Sequence, residues 1–273
     1  MDSGSGGLTV LAACAAALPD RHFLYFGDHA RAPYGIRGPD EIYRFTIEGV
    51  ERLFASGCRL VLIACNTAAA VGLRRLQQEW LATHYPDRRV LGVHVPLIEA
   101  LTGTQWAYPS PPRPQPPRTI AVFATPTTVA SGGFEREVSQ RCPHITVIGQ
   151  ACAGLADAIE AGADDAAVAN IIEGLWAELC ARPGAAAIDS AVLACTHYPL
   201  VADVFRAVLP ARVQVLTQPA IVAGTLIGYL ARNPHLSQRR SAGRIELTTS
   251  GDPALIARTA WLPEAYRHFT AVS

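Results

Sequence analysis

The chain has 273 residues, half of them apolar, with 23 basic and 23 acidic side chains that cancel to a formal charge of zero. That length is enough for two α/β domains with their own cores, and no uninterrupted apolar run reaches membrane length. All 23 basic residues are arginine, which excludes a pyridoxal phosphate enzyme and a P-loop nucleotidase, since both need a lysine.

In chain order, the amino end opens with Asp2-Ser3-Gly4-Ser5-Gly6-Gly7, a loop of small residues running into a predicted helix over 8–18. Free backbone amides at a helix start suit an anionic group. No basic and apolar leader precedes this loop, and a cytoplasmic location is expected. A predicted strand at 23–26 leads into Gly27-Asp28-His29-Ala30-Arg31-Ala32-Pro33-Tyr34-Gly35, where Pro33 and Gly35 shape a turn around Tyr34. A helix is predicted over 39–55, then a strand over 60–64 that ends in Ala64-Cys65-Asn66-Thr67, then a helix over 68–81.

Further strands are predicted at 90–93, 119–123, 145–148, 191–194, 213–216 and 244–248, with helices at 132–141, 166–180 and 199–208. This alternation implies an α/β fold with mostly parallel sheets. Residues 108–118, Tyr-Pro-Ser-Pro-Pro-Arg-Pro-Gln-Pro-Pro-Arg, read as a proline-rich surface loop in an extended state. Val95–Ala100 is echoed weakly by Leu155–Ala161. Together these features suggest two pseudo-symmetric doubly wound domains, residues 1–95 with 211–273 and residues 96–210, and an active site in the cleft between them.

The stronger echo lies between Val61–Thr67 and Ala191–His197, each an apolar strand ending in Ala-Cys and small polar residues. Ligands bind at the carboxyl ends of parallel strands, so Cys65 and Cys195 would stand at the lips of one cleft. A thiol at a helix start beside a histidine, as in Cys195-Thr196-His197, can serve as a base. The reading as small buried apolar residues suits Cys14, Cys58, Cys142, Cys152 and Cys180. Seven cysteines without a Cys-x-x-Cys pair fit a reducing compartment, and neither cysteine nor histidine spacing predicts a metal site. The arginine pairs 74–75, 88–89 and 239–240 are too scattered for a nucleic-acid footprint.

Four motifs, Asp-Ser-Gly-x-Gly-Gly (2–7), Gly-Asp-x-Ala-Arg-x-Pro-Tyr-Gly (27–35), Ala-Cys-Asn-Thr-Ala (64–68) and Cys-Thr-His-Tyr-Pro-Leu (195–200), resemble those of the glutamate racemase family in order and spacing over nearly the whole chain. The resemblance implies a cofactor-independent isomerase in which Cys65 and Cys195 act on opposite faces of the substrate α-carbon, assisted by Asp2 and His197. It also implies substrate contacts from Asp2, Ser3, Tyr34, Gly35, Asn66, Thr67, Thr196 and His197, with Glu160, Thr125 and Thr127 as further contacts. Glutamate would be the small-molecule partner, D-glutamate for peptidoglycan the product, no nucleic acid or membrane would be bound, and a homodimer is one assembly state. Related racemases acting on aspartate or substituted malonates, a catalytically dead binding protein and a dithiol oxidoreductase are the competing readings.

The chain departs from the family in several places. Met1 stands directly before Asp2, where the family has an apolar strand. The expectation is that this strand is missing as written, with translation starting upstream, neighbouring strand edges exposed and Asp2 on a frayed terminus. Phe134 replaces a tyrosine, Thr217-Gln218-Pro219 replaces an aspartate-containing turn, and the proline-rich loop is an insertion.

Overall fold

A computed structural model describes residues 1–103, 117–236 and 243–272. The proline-rich stretch up to residue 116 and the pair at 239–240 lie outside the described residues. In chain order the elements are α1 (Leu8–Ala17), β1 (His22–Gly27), α2 (Pro39–Ala55), β2 (Leu60–Ile63), α3 (Asn66–Arg75), α4 (Ala82–His84), β3 (Arg89–Gly92), α5 (His94–Thr102) and β4 (Arg118–Ala124). They continue with α6 (Pro126–Ala130), α7 (Gly133–Arg141), β5 (Ile145–Ala151), α8 (Leu155–Glu160), α9 (Asp165–Cys180), β6 (Ile188–Ala194), α10 (Ala202–Val208), β7 (Gln214–Leu216), α11 (Pro219–Arg232), β8 (Arg244–Thr249), α12 (Pro253–Ile256) and β9 (Phe269–Ala271). Every predicted strand is present, and a π-helical turn at Leu76–Leu81 continues α3.

The strands form three parallel groups, β5-β4-β6-β7, β2-β3 and β1-β8-β9. Alternation along β4 and β6 explains why the four-stranded sheet is covered on both faces. Ala121, Phe123, Ala191 and Leu193 point into one core with Leu155, Ile172 and Phe205. Ile120, Val122, Val192 and Ala194 point into another with Leu97, Phe134 and Val138. In the other half, Val61 and Ile63 pack with Ile42, Val50 and Phe54 of α2, while Leu60, Leu62 and Ala64 face the contact of α1 with α11. β7 pairs with β6, so the chain crosses back to the first half after β7 rather than at Pro210.

Met1 and Asp2 occupy the place of a strand between β1 and β2. The Met1 amino group donates to Leu62 O at 2.9 Å and Ala64 N donates to Met1 O at 2.8 Å. Asp2 N donates to Phe26 O and Asp28 N to Asp2 O, both at 3.0 Å, a parallel bridge with Gly27. Asp2 is therefore buried rather than frayed, because ladder bonds on both sides hold it. Behind Met1, an apolar slot of about 170 Å³ runs between the facing edges of β1 and β2, lined among others by Phe23, Tyr25, Leu53, Leu60 and Leu62.

Candidate active site

Both halves bring a cysteine to the carboxyl end of a strand. Cys65 follows β2 and caps α3, its sulfur accepting from Ala68 N at 3.5 Å and donating to Ser3 Oγ at 3.5 Å. Burial first, and the nearby Asp2 charge second, push the Cys65 thiol up from 9.0 to about 12. That displacement corresponds to about 4 kcal/mol, whereas a helix amino terminus favours a thiolate by up to about 2 kcal/mol even in a partly buried setting. Cys65 is a thiol at neutral pH.

Cys195 follows β6 directly and has a different neighbour. His197 Nδ1 lies 3.9 Å from Cys195 Sγ, and His197 Nε2 lies 2.8 Å from Glu160 Oε2. Burial alone would lower the imidazole, but its bonds to Cys195 and Glu160 outweigh that and raise it from 6.5 to about 10. Against its own burial, the Glu160 carboxyl is lowered by the hydrogen bond and charge of His197 and by bonds from Trp261 and Ser5. An imidazolium therefore faces the Cys195 sulfur.

The amino-terminal loop joins the two thiol environments. Asp2 Oδ1 accepts from Gly4 N at 3.0 Å, Thr196 Oγ1 donates to Asp2 Oδ2 at 3.4 Å, and Thr9 Oγ1 donates to Thr196 O at 2.9 Å. Burial raises the Asp2 carboxyl, opposed by the Gly4 amide and the His197 charge. A Cβ at Gly6 would stand 2.5 Å from Thr196 Oγ1 and 2.7 Å from His197 Nδ1, so only glycine allows this approach.

On the Cys65 side, Thr67, Thr125 and Thr128 close a ring of hydroxyls at 2.8 to 3.1 Å. Thr125 caps α6, and Thr127 Oγ1 donates to Gly35 O at 2.7 Å. Tyr34, buried, donates to Asp28 Oδ2 at 2.5 Å, and that carboxylate also takes Arg31 Nε at 2.7 Å. Asn66 is occupied by Gln218 through reciprocal amide bonds of 2.6 and 2.8 Å. The turn that departs from the family thus supplies a partner for a residue expected to meet substrate.

Asp2, Ser3, Tyr34, Gly35, Asn66 and Thr67 therefore gather around Cys65, Thr196, His197 and Glu160 around Cys195, and Thr125 and Thr127 bridge the halves. Sequence reasoning left out Ser5, His29, Gln218, Thr128 and Trp261. His29 lies within the 27–35 motif, whereas nothing near Trp261 or Gln218 in sequence signals their partners. Among the described residues no three His, Cys, Asp or Glu side chains gather as a metal-binding group, and no helix is long and apolar enough to cross a membrane.

The chain is similar in sequence and fold to known proteins. The sequence profile described as Asp/Glu/Hydantoin racemase matches residues 7–224. The chain is 46% identical over 262 residues to a glutamate racemase of Roseobacter denitrificans, covering 95% of this chain and 93% of that one. Its fold superposes on glutamate racemase isoform RacE1 from Bacillus anthracis with a TM-score of 0.84 at 28% identity, covering 100% of this chain and 95% of that chain. It also shares the fold of a Francisella tularensis glutamate racemase in complex with D-glutamate, with a TM-score of 0.82 at 22% identity and the same coverage.

Proposed function

The chain belongs to the Asp/Glu/hydantoin racemase family and is an isomerase, and from that premise we propose that it interconverts L- and D-glutamate by two-base proton transfer without a cofactor. The observation that carries this reading is the pair of thiols at the ends of β2 and β6 with unlike surroundings. Cys195, facing the His197 imidazolium, is set to take the α-proton, and Cys65, kept protonated by burial, is set to deliver one to the opposite face. After one turnover the roles reverse, and the other enantiomer is consumed.

The α-carbanion formed between the two steps has no ring to spread its charge. It must be stabilised by hydroxyls and amides in a site that excludes water. Ser3, Thr67 and Thr196 are the hydroxyl donors at hand, and Asp2 suits the substrate ammonium group. The product supports peptidoglycan synthesis in the cytoplasm.

The test is to follow the circular dichroism of L- and D-glutamate separately with purified protein and no added cofactor. Decay of both signals to zero supports the reading. Persistent signals from both, with aspartate racemised in a parallel sample, would replace the substrate.

A further inference from the structure

Glu160 belongs to the half built on β4 to β7, yet donors that fix its carboxylate come from the other half. Trp261 Nε1 donates to Glu160 Oε2 at 2.9 Å, the oxygen that also bonds His197 Nε2. The Trp261 ring stands edge-on to His197, with centroids 6.1 Å apart at 80°. Its base packs on the cluster of Leu8, Tyr25, Leu247, Leu262 and Phe269, which belongs to the first half. Ser5 bonds Glu160 as well, and its Oγ lies 3.0 Å from His29 Nε2, whose Nδ1 lies 2.8 Å from Thr249 Oγ1. Beside this junction, a Cβ at Gly162 would stand 3.1 Å from Ala260 Cβ, so the two segments touch.

The Cys65 sulfur takes its own hydrogen bonds, with Ser3 Oγ and Ala68 N, from its own half, and the bonds that cross the halves on that side run through Thr67 and Asp2 rather than through the thiol. We propose that Trp261 is a positioning residue that makes the orientation of His197 toward Cys195 depend on closure of the two halves, while the Cys65 thiol keeps its hydrogen bonds within its own half. The indole N–H holds Glu160, Glu160 holds His197, and His197 holds its proton toward Cys195. When the halves part, Trp261 and Ser5 leave Glu160 together, and His197 loses its fixed orientation while Cys65 keeps its own contacts. Proton transfer at Cys195 then occurs only in a cleft closed around substrate, so that the carbanion is not formed where water reaches it.

This inference rests on the two-base reading above. Trp261→Phe keeps the ring and removes the N–H. It is expected to lower kcat/KM for glutamate by about tenfold, the scale of one hydrogen bond to a charged group. Because only the barrier at Cys195 rises, the primary isotope effects measured with α-deuterated L- and D-glutamate should diverge from their wild-type ratio, one growing and the other shrinking, and Glu160→Gln should shift the ratio in the same direction. A change that merely loosened the fold would move both effects together, and that result, or an unchanged kcat/KM, would overturn the proposal.

A second readout does not depend on the substrate. Alkylation by iodoacetamide, mapped by peptide mass spectrometry, should change its pH dependence at Cys195 in Trp261→Phe and remain as in the wild type at Cys65. Equal changes at both thiols, or none at Cys195, would overturn the proposal even if glutamate proves not to be the substrate.

Discussion

Gly6 and His197 approach so closely that one added carbon on Gly6 would stand 2.7 Å from the imidazole Nδ1, the nitrogen that faces Cys195. The loop carrying Asp2 and Ser3 and the loop carrying Cys195 are therefore packed against each other at a position with no room for a side chain. Gly6→Ala must displace His197 or Thr196. A misplacement of this size in a reacting group costs about a hundredfold in rate, and turnover in Gly6→Ala is expected to fall by that order at a temperature where the variant is still folded, beside the roughly 1–3 kcal/mol of stability that such overpacking costs. Wild-type turnover would show that His197 does not need this position.

The paired groups also set a pH dependence. The folded-state value of His197 is raised from 6.5 to about 10, so the stability it contributes is complete below pH 6.5 and is lost as pH rises through about 10. Glu160 is lowered from 4.5, so its contribution is present above that value and is lost as pH falls below it. Glu160→Gln removes the anion that helps hold the His197 proton. Thermal melts across the alkaline range should then lose stability at lower pH than in the wild type, and superimposable alkaline limbs would refute the coupling.

Asn66 and Gln218 satisfy each other in a buried place. Gln218→Leu leaves the Asn66 amide without a partner at a cost of about 1–3 kcal/mol, and the melting temperature should fall by several degrees. Adding Asn66→Leu to that variant should recover part of the loss, because a pair of apolar groups leaves no polar atom stranded. Additive losses in the double variant would mean that the pair is not the source of the effect.

The slot behind Met1 yields a prediction about packing. Its walls are apolar, and Met1 already makes ladder bonds at its end, so an extended run of about five apolar residues fused ahead of Met1 should pair with β1 and β2 and fill the cavity. Filling a cavity of this size stabilises by on the order of a few kcal/mol, which a rise in melting temperature would report. No rise, or added aggregation, would show that the slot does not accept a strand.

Much of this site was legible in the sequence because its chemistry is local. Cys65 and Cys195 announce themselves as strand ends, and Asn66, Thr67, Thr196 and His197 follow them within two residues. The strands were legible for a similar reason, since β4 and β6 are buried on both faces and read as continuous apolar runs. What stayed hidden depends on distant partners. Trp261 meets Glu160 across 101 residues of sequence, and Gln218 meets Asn66 across 152. Helix α11, with an apolar face against α1, is not among the helices the sequence predicts. Asp2 does not fray, because Met1 and Asp2 bond to Leu62, Ala64, Phe26 and Asp28, contacts that lie 24 to 63 residues away and leave no local mark in the sequence.

The most direct test of two-base racemisation is to run L-glutamate, and separately D-glutamate, in deuterated buffer and to stop the reaction at a few per cent conversion. With one thiol removing the proton and the other delivering a solvent-derived one, deuterium should appear at the α-carbon of the product enantiomer while the remaining substrate keeps its protium, in both directions. Early deuterium in the unreacted substrate, or protium carried into the product, would mean that a single base serves both faces and would contradict the assignment of Cys65 and Cys195 to opposite sides.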